Sequence, residues 1–150
     1  MKYLIVLFAM LASTVAIADD AADRANAIEW IRLQLQDQKI KTVTGRTLDG
    51  QPCRLTLSDW LEPLGTYRVA VGPPIDDQAN HRNEFVGINT CEAESIGVEG
   101  SLVTFNSNHP WGNDSKWNTV VVKLRPDGSV LRATGNSDIK KIICILDAQK

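Results

Sequence analysis

The sequence predicts a mainly β protein: an N-terminal amphipathic helix packed on an antiparallel sheet of about 7–8 short strands, closed or nearly closed into a barrel. Three observations carry this. β-prone runs recur at hairpin spacing between Asp-Gly and Pro-rich turns, and a helical period with no competing strand reading governs the start of the mature chain. No helix is available between successive strands, as a parallel sheet would need.

Residues 1–18, MKYLIVLFAMLASTVAIA, read as a cleavable secretory signal peptide. Lys2 precedes an apolar run, Ala16 and Ala18 are small residues at the peptidase positions, and Asp19-Asp20 follows. The apolar run is short of the roughly 20 residues of a membrane span. Residues 19–150 then form one domain, large enough to bury a core of its own. The leader carries one lysine and no acid, so its removal takes the net charge from −2 to −3. No basic run stands out, so nucleic acid is a poor partner, and no later apolar run is long enough to span a membrane. An exported product, periplasmic or secreted, is expected.

Residues 20–38 form the expected helix. Asp19 or Asp20 caps it, and Ile28, Ile31 and Leu35 recur on one side with Trp30 beside them. The period changes from Lys39. KIKTVTGRTLDGQPCRLTLSD reads as two strands joined at Asp49-Gly50, with Val43, Leu48, Leu55 and Leu57 as core contacts. TYRVAVG, 66–72, alternates as a strand with Tyr67, Val69 and Val71 on one face. IDDQANHR is a polar loop, and 83–89 and 101–107 are strands; TCEAESIGVEG between them has no clear assignment. WNTVVVKLRPDGSVLRATG is a hairpin turning at Pro126-Asp127-Gly128. In the last segment Ile139, Ile142, Ile143 and Leu146 fit a helical period as well as a strand, and the isoleucine content favours a strand.

Cys53, Cys91 and Cys144 lie far apart with no C-x-x-C, so zinc and thioredoxin-like chemistry lack their spacing. In an oxidising compartment two should pair. Cys53 shares parity with Leu55 and Leu57, and Cys144 with Ile142 and Leu146. Both thiols then face the core, which points to Cys53–Cys144 and leaves Cys91 over, free or available for a dimer.

No G-x-S-x-G, H-E-x-x-H or Walker loop is present, and no cofactor or metal is expected. Asp76, Asp77, Asn80 and Glu84 offer oxygen ligands without the order of a calcium loop. Cys91 stands beside Glu92 and Glu94, the wrong charge for an activated thiolate. His81 sits in a polar, turn-rich run. NHPWGNDSKW, 108–117, is a loop rich in turn formers that carries His109, Trp111, Asn113, Asp114 and Trp117. An exposed tryptophan there could stack on a sugar or dock into a protein; Asn113-Asp114-Ser115 also matches a glycosylation acceptor.

Residues 119–142, TVVVKLRPDGSVLRATGNSDIKKI, resemble the hairpin-then-helix end of TonB-type periplasmic C-terminal domains, where a similar D-G turn precedes a Ser/Gly-rich step. The preceding strands and the three cysteines depart from that family, and its function is not carried over. The expectation is a small exported binding or inhibitory module. It would present the loops 73–83 and 107–117, with Trp111, Trp117, His109 and Asn113, to a protein or glycan. Two alternatives stand beside it: a cell-wall-directed hydrolase using His109 and Asp114, and a self-assembling envelope protein.

Overall fold

The computed structural model describes residues 21–61, 66–108 and 115–149. The signal-peptide reading falls on residues outside these, as do His109, Trp111, Asn113 and Asp114.

Among the described residues the chain forms one helix followed by nine antiparallel strands. Helix α1 spans 21–35 among the described residues. Ala27, Ile31 and Leu35, each four residues apart, are buried, and Ile28 and Trp30 flank them. α1 ends before the expected residue 38. Gln36 and Asp37 turn left-handed (φ 45° and 66°), and the Gln38 amide donates to Leu35 O at 2.9 Å.

The strands are β1 (Ile40–Thr47), β2 (Pro52–Leu61), β3 (Thr66–Gly72), β4 (Val86–Asn89), β5 (Ser95–Glu99), β6 (Leu102–Ser107), β7 (Asn118–Leu124), β8 (Val130–Ser137) and β9 (Lys141–Leu146). β5 comes from the stretch that the sequence left unassigned, which takes the number to nine. The final segment is a strand, so the resemblance to a hairpin-then-helix ending stops at the hairpin. Residues 82–84 form a 3-10 turn, and β4 starts only at Val86.

Asp49-Gly50 makes the expected first turn. Gly50 (φ 86°) donates its amide to Thr47 O at 3.0 Å. Leu48 is 76% exposed rather than in the core, because it belongs to that turn and points away from the sheet's inner face.

The sheet order is β4-β3-β2-β1-β9-β8-β7-β6-β5. Two meanders, β1–β4 and β5–β9, are thus welded by the pairing of the first and last strands. β4 and β5 stand at opposite edges, yet residues 90–94 alone connect them. Laid flat, nine strands would hold the edges about 38 Å apart. The extended link reaches about 21 Å at most. The sheet therefore has to curl, and it forms a half-barrel. The link is fastened to both halves: Thr90 N–H donates to Tyr67 O of β3 at 2.8 Å, and Glu94 N–H to Asn106 O of β6 at 2.9 Å. Arg24 of α1 caps it from the helix side, donating to Thr90 O at 3.0 Å and Ala93 O at 3.4 Å.

The core lies in this curl. Leu55, Leu57, Val69 and Val71 from the first meander meet Val103, Phe105, Val120 and Val122 from the second, with α1 over them. β4 folds inward, and its Val86 lies against Gly135 of β8. All of β4 is buried.

Cys53 and Cys144 form a disulfide with Cα atoms 5.9 Å apart, as their shared inward parity leads one to expect. They sit on β2 and β9, the two neighbours of β1. In a flat sheet such strands are about 9.5 Å apart. The sheet is therefore folded sharply across β1 at this point. Gly45 makes the fold feasible: it pairs with Cys53 on one side and Leu146 on the other, and any Cβ there would run into the carbonyl of Ile145.

Candidate functional site

Three loop segments are tied together at one end of the sheet: 73–85, the β8–β9 turn at 138–140, and 115–117. Ser137 builds the turn by accepting the Lys140 amide at 3.0 Å on its Oγ, while its own amide donates to Lys140 O at 2.9 Å. The Lys140 ammonium then reaches across to Asn83 O. The Lys116 amide donates to Asp138 Oδ1 at 3.0 Å.

Beneath this cluster runs a buried polar row in cross-strand register, Ser107–Asn118–Ser137. Asn118 is fully buried. It donates from Nδ2 to Gly87 O of β4 at 2.8 Å and accepts from Ser115 Oγ on Oδ1 at 2.8 Å. Ser107 Oγ donates to Glu92 O at 3.0 Å. The row couples the end of β6 and the start of β7 to β4 and to the 90–94 link. Trp117, next to Asn118, has its side chain turned the other way and is 37% exposed. Ile139 on the adjoining turn is 56% exposed. Alternation at the start of β7 produces this arrangement, with Asn118 inward and Trp117 outward.

The loop 73–85 is fastened over the outer face of β2. Arg54, almost buried, donates to Asp76 Oδ1 at 2.9 Å and also to Ile75 O. Gln78 Nε2 donates to Thr56 Oγ1 at 3.3 Å. Phe85, fully buried, lies against Gly72. The oxygen donors noted in the sequence are dispersed: Asp76 engages Arg54, Asp77 accepts from Asn80 Nδ2 at 2.7 Å, and Glu84 meets His81 Nδ1 at 3.0 Å. Among the described residues no three His, Cys, Asp or Glu side chains converge on a metal-sized site. Cys91 is exposed in the 90–94 link.

A further network escaped the sequence reading. Arg68 Nε donates to Asn89 Oδ1 at 2.9 Å, and Asn89 Nδ2 donates to Glu92 Oε2 at 3.2 Å. Burial pulls the Arg68 guanidinium down to about 10; Glu92 opposes the shift and Arg82 adds to it. It stays charged at neutral pH. A polar Asn at the end of an apolar strand was the one available signal. No family model, curated protein or solved structure matches this chain.

Proposed function

We propose that this protein is a small exported module that binds or inhibits a protein or glycan through the loop cluster at 73–85, 115–117 and 138–140. The observation that carries the reading is Trp117: a large aromatic exposed on loops that are themselves pinned by hydrogen bonds to a disulfide-clasped sheet. A rigid platform holding an amphipathic ring loses little entropy on docking. The disulfide supports an oxidising compartment. Among the described residues no helix is long and apolar enough to cross a membrane.

The test is recovery of a partner from envelope extract or culture medium, or from a glycan array, by the wild-type protein and by Trp117→Ala. The reading expects a specific partner whose affinity falls roughly tenfold or more in the variant. Equal capture by both proteins would refute it.

The exposed Cys91 favours a second reading, self-assembly through an intermolecular disulfide. It expects a dimer band on a non-reducing gel that Cys91→Ser removes; a monomer alone under oxidising conditions would rule it out.

A further inference from the structure

A curled sheet that does not close has two edges, and here they are treated differently. The β4 edge is sealed. The Asn118 amide occupies Gly87 O at 2.8 Å, and all four residues of the strand are buried. β5 lines a groove of about 500 Å³ from Ser95 to Glu99, and Thr104 and Asn106 of β6 extend its floor over the sheet face. The first described turn of α1 forms the opposite wall through Ala21, Asp23 and Arg24.

β5 carries few of the devices that usually blunt an edge. It pairs with β6 over all five positions without a register shift, so its backbone is regular. It holds neither proline nor lysine. Gly97 stands at its centre, and a Cβ there would lie 3.4 Å from the Cβ of Asp23, so that acid of α1 sits directly over the strand. The groove is also acidic: Glu94 and Glu99 line it on the β5 side and Asp23 on the α1 side. Among the described lining residues the one cation, Arg24, is turned onto the carbonyls of Thr90 and Ala93.

We propose that the β5 edge accepts an extended, lysine- or arginine-bearing segment of a partner protein as an additional strand. The backbone of β5 supplies the hydrogen bonds, and Asp23, Glu94 and Glu99 select for positive side chains. This surface is separate from Trp117 and stands without the loop-binding reading.

The test uses the purified protein and two synthetic probes: a capped heptapeptide alternating Lys and Val, and the same peptide with its central Val replaced by Pro. Amide hydrogen exchange is followed at residues 95–99. The alternating peptide is expected to bind saturably, to slow exchange along β5 and to weaken as salt is raised. The proline peptide is expected to lose at least about tenfold in affinity, because the ring removes a ladder donor. The Asp23→Asn, Glu99→Lys double variant, which leaves the Asn108–Glu94 hydrogen bond in place, is expected to lose about tenfold as well. Unchanged exchange at β5 overturns the proposal, as does equal binding of the two peptides or full affinity in the double variant. Loss of a partner in Trp117→Ala leaves all three readouts unmoved, so the two ideas fail separately.

Discussion

Cys53 and Cys144 clasp the sheet from the two sides of β1, directly where Gly45 lets β9 fold against it. The bond spans 91 residues of sequence and joins the first meander to the last strand. By loop-closure entropy such a cross-link is worth about 4–5 kcal/mol. The Cys53→Ser, Cys144→Ser variant should therefore unfold at far lower denaturant. Comparing its midpoint with that of the oxidised wild type checks this; equal midpoints would show that the clasp is incidental to stability.

Gly45→Ala tests the fold across β1 from the opposite direction. The added methyl collides with backbone, the carbonyl of Ile145, which cannot rotate away as a side chain could. A loss of about 3 kcal/mol is expected, read as a fall in melting temperature with the disulfide still formed. A variant as stable as the wild type would mean that β9 does not approach β1 so closely.

Asn118→Ala removes the side chain that ties β7 to β4 and leaves Gly87 O without its amide donor. Leaving such a buried group unpaired costs about 1–3 kcal/mol. Chemical denaturation should register that loss, and amide exchange should speed up along β4. Trp117→Ala, its neighbour, should leave exchange along β4 unchanged, since its ring does not belong to the core cluster. The contrast between adjacent residues checks the alternation itself.

Tyr67 gives a pH signature. Burial raises its phenol above the ordinary 10.0, with Asp59 and Glu29 acting in the same direction and Arg32 opposing. A group whose folded pKa is raised contributes stability that is complete below the unfolded pKa and disappears as pH rises through the folded one. Wild type should therefore lose stability relative to Tyr67→Phe as pH climbs past 10.0. Denaturation midpoints of the two proteins from neutral pH upward would reveal the divergence, and parallel curves would contradict it.

Much of this architecture was legible from local patterns. Alternation marked β1, β2, β3, β7 and β8, because a half-buried strand repeats its apolar residues with period two. The Asp49-Gly50 and Asp127-Gly128 pairs marked their turns, and parity alone pointed both bonded cysteines inward. β5 escaped because Ser95–Glu99 sets just Ile96 and Val98 in an acidic stretch. Leu48 misled because hydrophobicity does not say whether a residue belongs to the strand or to the turn that ends it.

The sequence by itself determined the class and order of all the elements but β5: a helix, then strands too closely spaced for any but antiparallel pairing. Only the tertiary structure decided which strands became edges, how the first and last strands met, and that Asn118 and Asn89 would be interior junctions. The reason is physical. Period and turn chemistry are properties of neighbouring residues, whereas edges, closure and the pairing of buried polar groups depend on contacts between segments far apart in the chain. The short 90–94 link and the missing side chain at Gly45 settle those contacts, and neither leaves a periodic trace.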